Sequence, residues 1–128
     1  MKDFYIIGVM SGTSIDGLDL VYVKFFFEES WKFKIISTKT YEYDNKWQVI
    51  LKSIVKNNIE SVKEIDKSYT KLLSKYIIQF INEYNITKID FVSSHGHTAL
   101  HNPSISLTYQ LGNLPELTNY LGLKVICD

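Results

Sequence analysis

The chain of 128 residues contains no arginine, a single cysteine, two prolines and no long apolar run. One cysteine, Cys127, excludes an internal disulfide and fits a reducing compartment. Its place in a terminal apolar stretch reads as a buried, inert thiol rather than a nucleophile. Fourteen lysines face fourteen acidic side chains, for a formal net charge of zero. No basic block stands out, which argues against nucleic acid and anionic membranes as partners. The first apolar stretch, Phe4 to Val9, carries Gly8 and is too short for a signal peptide or a membrane span. A cytoplasmic protein is expected. Repeats, linkers and low-complexity tracts are also missing, so residues 1–128 read as a single domain.

What is abundant is aromatic: nine Tyr and seven Phe suit either a thick core or an apolar surface meant for a further domain. The chain is organised around the stretch Ile7 to Asp19. Apolar runs, Phe4 to Val9 and Leu18 to Phe27, flank a small polar turn and are rich in β-branched and aromatic residues, so both read as strands. The turn holds Gly12 and Gly17, hydroxyls at Ser11, Thr13 and Ser14, and carboxylates at Asp16 and Asp19. Glycines permit close backbone approach, and backbone N–H groups beside short hydroxyls can cradle an oxyanion. A nearby carboxylate can hold Mg²⁺, directly or through water. The plain alternative is a polar hairpin turn that binds nothing. The pattern is neither a Walker A loop nor G-x-G-x-x-G before a helix.

Asp3 to Met10, Leu18 to Phe27 and Trp31 to Tyr43 read as an antiparallel three-stranded meander, with Phe33, Ile35 and Ser37 on one face. Asp44 caps a helix whose stripe is Trp47, Ile50, Leu51, Ile54 and Val55. Ser61 to Glu64 reads as a capping box for a long helix that continues through Tyr84, with Lys63, Lys67, Lys71 and Lys75 on its solvated face. Asn85 closes it. Ile89 to Ser93 is a buried strand reached by helical crossover and so parallel to its partner. Ser94 to Ser104 reads as a loop, and Ser106 to Leu111 as a strand. Asn113 and Glu116 box a short helix that Gly122 ends, before a last strand, Leu123 to Cys127. The pattern predicts an α/β fold with a mixed sheet.

The segment Ser94-His95-Gly96-His97-Thr98-Ala99-Leu100-His101 is the second candidate site, just beyond the carboxyl end of a parallel strand. Its H-x-H-x₃-H spacing admits zinc, but no Cys or carboxylate ligand is close by in sequence. Loop histidines without a ligand are the commoner case.

The order of residues in Met10-Ser11-Gly12-Thr13-Ser14-x-Asp16-Gly17-x-Asp19 resembles the N-terminal nucleotide loop of the anhydro-N-acetylmuramic acid kinases, members of the actin-like, hexokinase-like and Hsp70-like ATPase superfamily. Ser94-His95-Gly96-His97-Thr98 resembles that family's Ser-His-Gly-Gln-Thr loop. Gln110-Leu111-Gly112-Asn113 and the segment Leu121 to Asp128 resemble its Gln-Ile-Gly-Asp segment and a strand ending in Ala-Asp. The likeness is collinear over essentially the whole chain and covers only the front of such a kinase.

The resemblance implies a ribonuclease-H-like first lobe of the actin-like ATPase fold, truncated before its second lobe. It implies ATP and Mg²⁺, with Ser11, Gly12, Thr13, Ser14, Ile15, Asp16, Gly17, Leu18 and Asp19 around the nucleotide, and Asp16 and Asp19 toward the metal. For Asp19 a strand-end carboxylate bonded to the turn is an equal alternative. A sugar would lie against Ser94, His95, Gly96, His97 and Thr98. His97 stands where the family has Gln, and Asn113 where it has Asp; both keep hydrogen-bonding capacity. The implied reaction moves phosphate from ATP to O6 of 1,6-anhydro-N-acetylmuramic acid while water opens the ring, giving N-acetylmuramic acid 6-phosphate during cell-wall recycling. The family's base, in a downstream Asp-Thr-Gly-Pro motif, and its later arginines have no counterpart here. No catalytic residue is therefore expected in this chain, nor turnover by it alone. Two other readings stay open: a non-catalytic actin-like or Hsp70-like nucleotide-binding module, and a half-domain that forms a homodimer.

Overall fold

The computed structural model describes residues 3–11, 15–102 and 107–127. Strands β1 (Phe4–Ser11), β2 (Gly17–Glu28) and β3 (Ser30–Glu42) come first, then helix α1 (Asn45–Lys52), a 3₁₀ turn at Ile54–Lys56, and helix α2 (Ile59–Glu83). Strands β4 (Phe91–Ser94), β5 (His97–Asn102) and β6 (Leu107–Leu111), helix α3 (Glu116–Leu121) and strand β7 (Val125–Cys127) follow. Five strands form one sheet in the order β3-β2-β1-β4-β7, and β5 pairs with β6 as a separate two-stranded sheet.

The meander is antiparallel as expected, and β4 runs parallel to β1, with Ile6 opposite Phe91 and Val9 opposite Ser94. β7 is parallel to β4. Short turns permit only antiparallel neighbours, whereas the α2 and α3 crossovers deliver parallel ones. The result is an α/β fold with a mixed sheet, compatible with the first lobe of an actin-like ATPase.

Alternation along the strands divides the sheet into two faces. Ile7, Val9, Leu18, Leu20, Tyr22 and Val92 point to one face and are buried together with Val62, Tyr69, Leu73, Ile77 and Phe80 of α2. α3 packs against α2. The opposite face leaves Met10, Phe27, Trp31, Phe33, Ile35 and Ile126 exposed, Trp31 and Phe33 by 60% and 63%. At the end of the β2–β3 hairpin the aromatics stack on one another, with Phe27 edge-on to Trp31 at 5.6 Å and Phe25 against Phe33 at 6.0 Å.

Several details depart from the sequence reading. Val23 pairs with Ile35 but Tyr22 with Ser37, so Ile36 is an extra residue in β3. This bulge turns Ser37 to the face opposite Phe33 and Ile35. α1 stops at Lys52 because the Ser53 hydroxyl donates back to the Val49 carbonyl at 2.9 Å; Ile54 is still buried, in the 3₁₀ turn. α2 begins earlier than the box at Ser61: Asn58 is its cap, and its side chain accepts from Ser61 N at 2.9 Å. α3 has Pro115 at its cap position without a side-chain hydrogen bond, and Asn113 donates instead to Gln110 Oε1 at 3.3 Å. Much of the expected loop at 94–104 is strand β5, whose pairing with β6 comes from a distant segment that local composition does not reveal. Pro103 lies outside the described residues. Cys127 is exposed, not buried, because β7 is an edge strand. Asp44 caps α1, Asn85 leaves α2 at φ 52°, and Gly122 ends α3 at φ 66°, all as expected. Among the described residues no helix is long and apolar enough to cross a membrane.

The caps give a direct test. Asn58→Ala should lower the unfolding free energy by about 1 kcal/mol in urea denaturation. Ser61→Ala should change it by less than about 0.5 kcal/mol.

Candidate functional site

Because β1, β4 and β7 are parallel, their carboxyl ends lie at one edge of the sheet. The end of β1 and the segment after β4 are thereby brought side by side, and His95 N donates to Val9 O at 3.1 Å. An open groove of about 970 Å³ crosses the uncovered face, with Met10, Asp19, Thr40, Ser93 and His95 among its lining residues.

Of the turn residues, Gly12, Thr13 and Ser14 lie outside the described residues. Ser11 is buried and Leu18 belongs to the core. Ile15 adopts φ 59°, a region that β-branched residues avoid. Asp16 and Asp19 are exposed at the surface. Gly17 is required by contact: a Cβ there would sit 2.5 Å from the Tyr41 carbonyl oxygen. The Asp19 carboxylate accepts from Thr40 Oγ1 at 2.6 Å, so its partner is the neighbouring strand rather than the turn.

Tyr43, just beyond β3, fastens both limbs of this turn. Its N–H donates to the Asp16 carbonyl at 3.1 Å, and its hydroxyl donates to Ser11 Oγ at 2.7 Å. Having spent its one hydrogen on Ser11, the Tyr43 oxygen accepts from Tyr69 Oη at 2.6 Å. Ser11 has then accepted one bond and has its own hydrogen for His97 Nδ1, 2.8 Å away. The Ser11–His97 bond thus closes a run of side-chain hydrogen bonds that starts at Tyr69. Burial holds His97 below the usual imidazole range and pushes the phenols of Tyr43 and Tyr69 upward.

The second segment docks through its glycine. Gly96 lies at φ 80°, and a Cβ there would meet Leu111 O at 2.5 Å and Asn113 Oδ1 at 2.8 Å. Gly112 packs under the Tyr69 ring and donates its N–H to Asp66 Oδ1 at 2.7 Å. The two motifs, Ser94–Thr98 and Gln110–Asn113, thus meet on α2. Among the described residues Ser94 Oγ, though buried, has no hydrogen-bond partner. His97 is turned inward onto Ser11, and the side chains of Thr98 and His101 lie outside the described residues.

Sequence reasoning passed over Tyr43, Tyr69 and Asp66 as site residues. Asp66 carried a signal, a carboxylate within the apolar stripe of α2 between Val62 and Tyr69. Among the described residues no three His, Cys, Asp or Glu side chains converge as a metal cage. The oxygen donors of Asp16 and Asp19 suit a Mg²⁺ that arrives with phosphate and keeps its waters, rather than a resident ion held by protein alone.

A mixed sheet of this order is compatible with the first lobe of an actin-like ATPase. The family model "Anhydro-N-acetylmuramic acid kinase" matches residues 4–128. The chain belongs to that family. It is 34% identical to the anhydro-N-acetylmuramic acid kinase of Sulfurimonas denitrificans over 134 residues, which cover 100% of this chain and 35% of that protein. It is 30% identical to that of Shewanella pealeana, over 100% of this chain and 36% of the relative. The kinase of Brucella canis is 29% identical over 95% of this chain and 35% of its own length. The chain therefore spans about a third of the relatives it matches.

A buried imidazole with a lowered pKa binds fewer protons in the folded than in the unfolded chain, whose His value is about 6.5. Its stabilising contribution is complete above that value and is lost as pH falls through the folded one. Urea midpoints should therefore fall between pH 7.5 and pH 5, and His97→Gln should flatten that dependence.

Proposed function

We propose that residues 1–128 form the N-terminal lobe of an ATP-dependent kinase that opens and phosphorylates 1,6-anhydro-N-acetylmuramic acid. The observation that carries this reading is the convergence of the β1–β2 turn and the Ser94–Thr98 segment at the carboxyl ends of parallel strands, the usual ligand position in an open α/β sheet. When bound, Mg-ATP supplies the phosphoryl group and the charge neutralisation that phosphoryl transfer needs. Within this chain, the turn from Ser11 to Gly17 receives the phosphates, and the exposed carboxylates of Asp16 and Asp19 face the cation or its waters. Tyr43 is bonded to both Ser11 and Asp16, which limits how far the two limbs can part before a ligand arrives. Ser94, His95, Gly96 and Thr98 take the sugar side, where the unpartnered Ser94 hydroxyl is a group for a ligand to satisfy. Water attack on the anhydro ring needs a base, and the reading assigns that base to a part of the enzyme beyond residue 128. The lobe then binds but does not turn over alone, in a cytoplasmic setting suited to sugar recycling.

The exposed aromatic strip of the β2–β3 hairpin favours a second reading, a half-domain that dimerises without nucleotide. Calorimetric titration with Mg-ATP, together with sedimentation, separates the two. Saturable binding that Asp16→Asn weakens by roughly 10- to 100-fold supports the kinase lobe. A concentration-dependent dimer that takes up no Mg-ATP overturns it. Sugar phosphorylation by the isolated chain would refute the assignment of the base elsewhere.

A further inference from the structure

Ser11 closes β1 and His97 opens β5, 86 residues apart in sequence, yet their side chains are hydrogen bonded in the interior. Each belongs to a different candidate ligand segment. We propose that His97 is a positioning residue that ties the β5–β6 hairpin to the β1–β2 turn through Ser11, so that the two segments share one hydrogen-bonded frame.

A connected set of contacts carries the proposal. Side-chain hydrogen bonds run in series from Tyr69 through Tyr43 and Ser11 to His97 Nδ1, so the imidazole ends the series. Tyr43 continues the frame to the far limb of the turn through its N–H on Asp16 O. At the other end, Gly96 lies against Leu111 O and the Asn113 side chain, which joins the start of β5 to the end of β6. Asp66 fastens that junction to α2 by accepting Gly112 N. A hydrogen-bonding side chain at position 97 that reaches Ser11 Oγ is thus the chemical requirement. Glutamine, which the family resemblance puts at this position, offers both an amide oxygen and N–H donors and meets it in either role; alanine does not. Among the described residues, the titratable side chains on this frame are Tyr69, which packs against the ring, Tyr43, joined to it through Ser11, and Asp66 of α2 at the hairpin end. The phenols stay neutral through burial, and Asp66 is engaged by Gly112. Calling the turn a phosphate cradle rests on the proposed function; the tie itself does not.

Amide hydrogen exchange on the full 128-residue chain, with no nucleotide present, tests the tie. The Tyr43 amide reports the turn, the Gly112 amide the hairpin, and the Ile77 amide of α2 global opening. His97→Ala should speed exchange at Tyr43 and Gly112 by about tenfold relative to Ile77, and His97→Gln should stay within about twofold of the parent. A merely structural role in the core would speed all three amides together and would not be rescued by glutamine. If the alanine variant does not fold, Ser11→Ala removes the same link without a large cavity and should give the same selective acceleration. The proposal is overturned if the interrupted variant leaves Tyr43 and Gly112 at the parental rate relative to Ile77, or if glutamine behaves like alanine. A chain that fails to bind Mg-ATP yet shows the selective acceleration would refute the proposed function and leave this inference intact.

Discussion

Parallel pairing of β1 with β4, from Ile6 opposite Phe91 to Val9 opposite Ser94, is the constraint from which the site follows. An antiparallel β4 would send Ser94 and His95 to the far edge of the sheet, away from the turn after Ser11. Parallel pairing needs a long crossover, and α2 supplies it with 25 residues. The same helix buries the sheet through Val62, Tyr69, Leu73, Ile77 and Phe80 and presents Asp66 and Tyr69 to the segments that converge beyond the strand ends. One element therefore acts as connection, core and scaffold for the site.

Polar groups inside this scaffold are satisfied in series. Tyr69, Tyr43, Ser11 and His97 would each be costly to bury alone, and each becomes tolerable by giving or taking one hydrogen bond. Such a chain has a direction, because a phenol or a serine has one hydrogen to give. It is more demanding than apolar packing: a cavity can partly collapse, but a donor facing a donor cannot be accommodated by small shifts. The interior around Ser11 thus specifies hydrogen-bond partners as well as a shape.

The sheet, its meander and the long helix were legible because each rests on a repeat of side-chain types along one segment. Trp47, Leu51 and Ile54 announce one apolar stripe, and Val62, Tyr69, Leu73 and Ile77 another. Features set by two distant segments were not legible. β5 owes its pairing to β6, and the inward turn of His97 depends on Ser11, Tyr43 and Tyr69, none of them a sequence neighbour. The family loops pointed to segments that the fold brings together, and for Gly96 and Gly112 the reason is close approach by Leu111 and Tyr69. The bulge at Ile36, and with it the placing of Ser37, left no trace in composition.

The uncovered strip of Phe27, Trp31, Phe33 and Ile35 lies on a molecule of zero formal net charge and a sequence pI near 6.8. Colloidal stability near neutrality then has no long-range repulsion to draw on, since copies approach without a charge barrier and meet apolar surface first. Moving the solution well to either side of that pI restores a barrier that the folded chain itself does not supply. The exposed face therefore governs the conditions under which this lobe stays dispersed, independently of any ligand at the other end of the sheet.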